Sequence, residues 1–133
     1  SLLNYGYGIL YGQIERALVL AGLDPFAGYV HVDRPGKPSL TLDLIEEFRQ
    51  VAVDRVVFGL VNRKFLVEQD EQKRLSEATR KGFAQHITDH LESEVRHAGK
   101  RFALRQVMQM QAREIAAFVC GRRTEYVPFK ASW

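Results

Sequence analysis

Residues 39–62 read SLTLDLIEEFRQVAVDRVVFGLVN, and a long helix is predicted over this stretch. Ser39 or Thr41 can cap the start of a helix, because a hydroxyl oxygen accepts a hydrogen bond from a free backbone N–H of the first turn. Asp43 follows in the first turns, where a carboxylate suits the positive end of the helix dipole. The helix is predicted to run to about Asn62.

Three further helices are predicted around this stretch, from apolar residues that recur at steps of three and four. They cover residues 2–22, about 70–97 and about 102–120. A glycine is expected to end each of them, since it tolerates the left-handed backbone at a helix end: Gly22, Gly99 and Gly121. The side chains expected to face the core are Leu3, Tyr7, Leu10, Ile14, Leu18 and Ala21, then Leu75, Ala78, Phe83, Ile87, Leu91 and Val95, then Leu104, Val107, Met108, Gln111, Ile115 and Phe118.

The remaining segments are predicted to be irregular. Residues 23–39 are rich in proline and glycine, and residues 28–32 within them are the one candidate for extended structure. Residues 126–133 form an irregular tail. The predicted fold class is therefore mostly α: a compact helical domain of about four to six helices with no substantial sheet, covering residues 1–133.

The composition is that of a soluble globular protein, with 46% hydrophobic and 26% charged residues. Disorder is excluded on these grounds. Every apolar stretch is shorter than the ~18 to 20 residues of a membrane-spanning helix. The richest, residues 51–61, contains Asp54 and Arg55. A single cysteine, Cys120, permits no internal disulfide and no cysteine-pair metal site, and a cytosolic protein with a buried thiol is expected.

The charge is slightly basic, with 19 Lys and Arg against 16 Asp and Glu. Arg96, Lys100, Arg101 and Arg105 lie within ten residues with no acid among them, and the pair at 122–123 follows. Such a cluster is either a solvated face or a set of contacts to phosphate groups. The chain also starts inside an apolar periodic stretch, which predicts that it is a fragment of a longer protein.

Glu15 is the first candidate functional residue. It shares a side of the first helix with glycine, aromatic and aliphatic residues, among them Tyr11 and three glycines: Gly8, Gly12 and Gly22. A buried carboxylate is costly unless it is paired or binds a metal. The glycines would let a backbone or a ligand approach closely. Alternatively, Glu15 pairs with Arg16 or lies at a wet edge of the helix.

Asp43, Glu46 and Glu47 form the second candidate group. Asp43 lies three residues from Glu46 and four from Glu47, so carboxylates share a helix face and repel each other unless a cation lies between them. Acids are also common at helix starts because of the dipole alone.

His31 is the third candidate, although a lone histidine is more often an ordinary core or surface residue. Together, imidazole and carboxylates suit octahedral Mg²⁺ or Mn²⁺ better than structural zinc.

These residues resemble an ordered set of motifs found in the CRISPR-associated spacer-acquisition nuclease/integrase family ("Cas one"). The resemblance is dense over residues 1 to about 66 and looser beyond. Position 50 departs from the pattern, since glutamine stands where many relatives have proline. The matching segments are LNYGY at 3–7 with Tyr11 and Glu15, AGLDP at 21–25, GYVH at 28–31, PSLTLDLIEEFR at 38–49, QAR at 111–113 and YVPF at 126–129.

Proteins of this family have an N-terminal β-rich domain for dimerisation and a C-terminal helical catalytic domain. The resemblance implies that this chain is the second domain without the first. It implies Mg²⁺ or Mn²⁺ as cofactor, bound by Glu15, His31 and Glu46. Asp43 matches the first acid of the family's Asp-x-x-Asp/Glu turn and is expected behind the ligands, orienting His31 or a water molecule. The phosphate contacts expected near these ligands and beyond are Lys37, Arg49, Arg96, Lys100, Arg101 and Arg105.

The implied activity is transfer of a DNA 3′-hydroxyl to a phosphodiester of the CRISPR repeat, with nuclease activity as the hydrolytic variant. The implied partners are double-stranded DNA (prespacer and repeat), a second copy in a homodimer of the full-length protein, and the small CRISPR-associated partner nuclease ("Cas two"). The implied location of the protein is the prokaryotic cytoplasm, and no membrane partner is expected. Two alternatives stay open from the residues alone. One is a non-catalytic helical module that binds DNA or protein, and the other is a zinc-stabilised structural domain.

Overall fold

The computed structural model describes residues 1–23, 39–64, 69 and 74–131 of the chain. This part is mostly α-helical, as the sequence predicts, and the one sheet within it is a two-stranded hairpin. The elements in chain order are α1 (Leu2–Leu20), α2 (Ser39–Arg49), a π-helical segment (Gln50–Asp54), α3 (Arg55–Asn62), α4 (Glu77–Leu91), β1 (Glu94–His97), β2 (Lys100–Ala103) and α5 (Leu104–Val119).

The stretch at 39–62 forms one helical rod, which confirms the predicted span. The π-helical segment in its middle was not predicted. Its wider turn allows three consecutive residues, Val51, Ala52 and Val53, to be buried together. His90 of α4 faces this segment, with Nε2 2.7 Å from the carbonyl oxygen of Val51. Since a carbonyl only accepts hydrogen bonds, this ring nitrogen is the donor.

Helix α1 packs along α2 and the π-helical segment. Gly6 lies so close to Val53 that a Cβ at position 6 would be 2.6 Å from Cγ1 of that valine. Tyr7, near the start of α1, contacts Arg49 and Asp54, at the ends of α2 and of the π-helical segment. The N-terminal part of α1 therefore packs against the end of α2 and the π-helical segment. Leu10, Ile14 and Leu18 are buried as predicted, whereas Leu3, Tyr7 and Ala21 are half-buried.

The predicted helix at 70–97 is wrong at both ends, since 77–91 are the residues of this range that form the described helix α4. Residues 70–73 lie outside the described part, and α4 starts after Ser76, whose side-chain oxygen accepts from the amide of Thr79 at 3.1 Å. Residues 94–97 are strand β1, paired antiparallel with β2. The physical reason is the turn between the strands. Ala98 and Gly99 both have positive φ, +53° and +80°, which matches a two-residue hairpin and cannot continue a helix.

The start and end of α5 agree with the prediction to within two residues. Gly22 and Gly121 have φ of +91° and +78°, as expected of residues just past a helix end. Three expectations about burial are wrong, because Ala78, Phe118 and Cys120 are exposed. The remaining predicted core positions are buried or half-buried.

The tail beyond α5 has no regular secondary structure as far as residue 131, in agreement with the prediction. It nevertheless packs tightly, because Phe129 is buried and its ring stacks on Phe48 of α2, with centroids 5.0 Å apart. The extended candidate at residues 28–32 lies outside the described residues. None of the helices that the structure describes is long and apolar enough to cross a membrane.

Candidate functional site

The exposed carboxylates of α2 line an open cavity of about 710 Å³. Asp43 and Glu46 contribute from the helix, and the tail supplies the facing wall, including Pro128 and Lys130. The spacing of three residues therefore puts both acids in one cavity, as the sequence predicts. The structure adds a basic residue of the tail, Lys130, which the sequence did not single out.

Glu46 is held by a residue of its own helix. Nη1 of Arg49 donates to Oε1 of Glu46 at 2.9 Å. The carboxylate nevertheless remains accessible, because the Glu46 side chain is 67% exposed. Exposed ion pairs of this kind add little to stability. Glu46 can therefore exchange this partner for a metal ion without a large loss of structure.

Arg49 also lies over the ring of Tyr7 on α1, with the guanidinium carbon 4.9 Å from the ring centroid. The hydroxyl of Tyr7 in turn donates to Asp54 at 2.5 Å. The hydrogen bond to Asp54 is the main reason why the pKa of Tyr7 is raised, with burial as a smaller cause. The pKa of Arg49 is raised by Tyr7 and then by Glu46. A chain of contacts thus connects Glu46 to the π-helical segment.

Sequence reasoning missed this chain of contacts. The available signal was Asp54, a carboxylate inside the most apolar stretch of the chain. Such a residue needs a polar partner when its helix is packed. No local spacing points to Tyr7 as that partner, since the two residues are 47 positions apart.

Glu47 does not share the role of its neighbours. Its carboxylate accepts hydrogen bonds from Nε2 of Gln111 at 3.0 Å, from the hydroxyl of Tyr126 at 2.5 Å and from the amide of Phe129 at 2.9 Å. Burial raises the pKa of Tyr126, and the hydrogen bond to Glu47 raises it further. Glu47 is therefore a structural residue that fastens the tail to α2 and α5. The sequence had grouped it with the other acids of the turn.

Glu15 is half-buried on α1. It lies eight residues beyond Tyr7, or about 12 Å along the helix axis at 1.5 Å per residue. Asp43 and Glu46 precede Arg49 on α2 by six and three residues, or about 9 and 4.5 Å along that helix axis. Among the described residues, Glu15, Asp43 and Glu46 do not form a group that could hold a metal ion.

The glycines near Glu15 do not bring another described segment close. A Cβ at Gly8 or Gly12 would meet no described atom within 4 Å. The expectation of a close backbone approach at these positions is therefore not met by the described residues. The tight contact on α1 is instead at Gly6, against Val53.

The predicted metal site extends beyond the described residues. His31 and the expected phosphate contact Lys37 both lie outside them. Among the residues that the structure describes, no group of three or more His, Cys, Asp and Glu side chains could hold a metal ion. The donors on the described helices still suit the proposed ion, because carboxylate oxygens are the ligands that Mg²⁺ and Mn²⁺ prefer.

The predicted basic cluster lies on the hairpin and the first turn of α5. Arg96 and Arg101 are cross-strand partners, so two like charges project from the same face. Acids that flank the cluster in sequence neutralise part of it. Arg101 lies 4.0 Å from Glu94, and Nε of Arg105 donates to Glu92 at 2.6 Å.

Comparisons with known proteins agree on one family. The family model described as CRISPR associated protein Cas1 matches residues 1–89. A CRISPR-associated endonuclease Cas1 from Archaeoglobus fulgidus is 38% identical over 138 residues, which cover 100% of this chain and 40% of the relative. The chain thus spans less than half the length of the curated relatives it matches.

Two solved structures resemble the fold. A casposase bound to an integration product has a TM-score of 0.80 at 26% identity, covering 95% of this chain and 38% of that one. A Cas1 protein from Thermotoga maritima has a TM-score of 0.78 at 26% identity, covering 91% of this chain and 39% of that one.

Proposed function

The chain belongs to the CRISPR-associated Cas1 family, and from that premise we propose that it forms part of a divalent-metal-dependent DNA endonuclease and integrase. In this proposal the protein inserts new spacers into a CRISPR array by phosphodiester transesterification. A 3′-hydroxyl oxygen of the incoming DNA bonds to a phosphorus of the repeat, and the 3′-oxygen of the cleaved strand leaves. Hydrolysis is the same reaction with water as the nucleophile.

The observation that carries this proposal is the pair of exposed carboxylates, Asp43 and Glu46, in the open cavity beside α2. Their own repulsion favours a bound cation. The likeness to a casposase bound to an integration product supports DNA joining as the reaction class. The cavity is open enough for a polymer strand to enter, whereas a small-molecule site usually encloses most of its ligand.

Glu15, His31 and Glu46 would hold the metal, and Asp43 would support them. The bound Mg²⁺ or Mn²⁺ would polarise the scissile phosphate and activate the attacking oxygen. The chain's own contribution is mainly positioning and neutralisation of charge. Arg49 is the best placed of the described cations for this role, since its guanidinium already contacts Glu46 and is fixed over Tyr7. With Glu46 holding the metal, Arg49 would be available for a phosphate oxygen.

The partners of the whole protein follow from the same proposal. Prespacer and repeat DNA would be the substrates, and a second copy and the small CRISPR-associated partner nuclease would complete the integration complex. The proposed location is the prokaryotic cytoplasm. Lys37 would contact phosphate near the metal ligands.

The test compares Glu46→Ala with Asp43→Asn by calorimetric titration of Mn²⁺ and by a strand-transfer assay. Glu46→Ala should abolish both, because it removes a direct ligand. Asp43→Asn should weaken metal binding by about 10- to 100-fold, as expected for a residue behind the ligands, and leave detectable activity at high Mn²⁺. Glu77→Ala is the matched control, since Glu77 is an exposed acid of α4 in a surface ion pair.

Three outcomes would contradict the proposal in different ways. Metal binding by Glu46→Ala but not by Asp43→Asn would reverse the two roles. DNA binding without any metal binding by the unaltered protein would favour a non-catalytic binding module. Loss of helicity on addition of a chelator would favour a zinc-stabilised structural domain.

A further inference from the structure

A second cleft lies between α1 and α5, with a volume of about 360 Å³. Three arginines line it: Arg16 from α1, and Arg105 and Arg113 from α5. Its apolar lining includes Leu20, Leu91 and Met108. None of the described side chains that line it is acidic. We call these residues the arginine cleft.

The positive charge of the arginine cleft is only partly neutralised. Arg105 is paired with Glu92 at 2.6 Å. Arg16 and Arg113 are exposed, and no ion pair connects either of them to a residue in the described ranges. Two guanidinium groups that face one cleft repel each other. An anion between them would remove this repulsion.

Phosphate is the anion that this arrangement suits best. The guanidinium group is planar and presents paired N–H donors that match two phosphate oxygens at once. Apolar side chains between the guanidiniums offer a surface for sugar rings rather than for further charge. The combination is typical of a contact to a nucleic-acid backbone, where positive side chains recur along a groove.

The positive surface continues beyond the cleft. Arg113 also lines a neighbouring hollow with Arg122 and Arg123. Arg123 forms an ion pair with Glu114 at 2.9 Å. Arg122 is therefore the residue of this pair that continues the positive surface beyond Arg113. For the pair at 122–123 the sequence left two interpretations open, a solvated face or contacts to phosphate groups. The arginine cleft and this hollow, which share Arg113, together form a longer positive strip.

Arg16 follows a predicted metal ligand, Glu15, directly in the sequence, but the two side chains leave α1 about 100° apart around the helix axis. We infer that the arginine cleft binds the phosphodiester backbone of a DNA strand. This inference rests on the proposed function and adds to it a contact surface distinct from the hairpin cluster.

The experiment measures DNA affinity as a function of salt for Arg16→Gln/Arg113→Gln, by fluorescence anisotropy with single-stranded and duplex DNA. Loss of two phosphate contacts should reduce the salt slope by about 1.4 for single strands or 1.8 for duplex. If the affinities of the variant and the unaltered protein are equal at 1 M salt, these reductions in slope correspond to a loss of affinity at 0.1 M salt of roughly 25-fold for single strands and 60-fold for duplex. Arg80→Gln/Lys81→Gln on the exposed part of α4 is the control, because it removes the same charge elsewhere.

A second measurement keeps the inference separate from the proposed function. Phenylglyoxal labelling of arginines, read by mass spectrometry, should show that DNA protects Arg16 and Arg113 but leaves Arg80 reactive. Mn²⁺ binding by the double variant should equal that of the unaltered protein. If affinity, slope and protection match the control while Mn²⁺ binding and strand transfer persist, the arginine cleft is not a DNA contact and the proposed function stands. If inorganic pyrophosphate protects both arginines and DNA does not, the cleft is a small-anion site and the inference fails.

Discussion

The carboxylate of Glu47 accepts a hydrogen bond from the backbone amide of Phe129, with 2.9 Å between Oε1 and N. The two residues are 82 positions apart. The contact brings the tail back onto α2, where the ring of Phe129 stacks on Phe48. The wall of the cavity that faces Asp43 and Glu46 is therefore fixed by an acid that is itself unavailable as a metal ligand.

Replacing Glu47 with alanine should release the tail. Three donors, two of them in side chains and one in the backbone, would lose a part-buried acceptor. Leaving such groups unpaired costs about 1–3 kcal/mol of unfolding free energy. Denaturant unfolding measures this loss, and hydrogen exchange at the amide of Phe129 should accelerate. Glu77→Ala should change stability by less than about 0.5 kcal/mol, as expected for an exposed pair. Unchanged exchange at Phe129 would show that stacking alone holds the tail.

Alkaline pH should destabilise the protein through Tyr126. Its pKa is raised by burial and by Glu47, so the folded state keeps the phenolic proton after the unfolded state has released it near pH 10. The unfolded state then binds fewer protons, and stability falls as pH rises above about 10. Tyr126→Phe should be less stable than the unaltered protein at neutral pH, and the difference should shrink at alkaline pH. A difference that is constant across this range would contradict the expected titration.

Gly6 and Gly12 should respond in opposite directions to alanine. A Cβ at Gly6 would lie 2.6 Å from Cγ1 of Val53, so Gly6→Ala should lower the unfolding free energy by about 1–3 kcal/mol. Val53→Ala combined with it should restore part of the loss, because the clashing methyl is then absent. Gly12 has open space around it among the described residues, so Gly12→Ala should stabilise the helix by roughly 0.5–1 kcal/mol. Thermal unfolding distinguishes these variants, and equal effects would argue against the close approach of α1 to the π-helical segment.

Neutralising Arg96 and Arg101 should separate DNA contact from hairpin stability. The two residues are directly opposed on the strands, so either single change to glutamine should stabilise the hairpin slightly by removing repulsion. If both contact phosphate, the double variant should lose up to about 1.8 units of salt slope with duplex DNA. An unchanged slope would assign the pair to a solvated surface. The metal affinity of the protein should stay the same in either case.

Helix positions could be predicted because periodicity is a local property of the chain. Apolar residues at steps of three and four located α1 and α5, and candidate cap residues with an acid in the first turns located the start of the rod. Gly22 and Gly121 located two helix ends. The hairpin could not be predicted in the same way. Its strands are four residues each, too short for an alternating pattern to outweigh a helical one. The turn at Ala98 and Gly99 and packing against the tail, where His97 lies 5.8 Å from the ring of Phe129, favour the strands.

The contacts of the candidate site also differ in whether local spacing in the sequence could predict them. Local spacing alone is enough to predict that Asp43 and Glu46 share a helix face, since three residues separate them and this fixes the relationship in any α-helix. The packing of the helices and the tail, in contrast, decides that Glu47 binds the tail and that Arg49 lies over the ring of Tyr7. These partners come from other helices and from the tail. Which side chains meet there depends on how each helix is rotated about its axis and on how its neighbours pack, and neither quantity is encoded in local spacing.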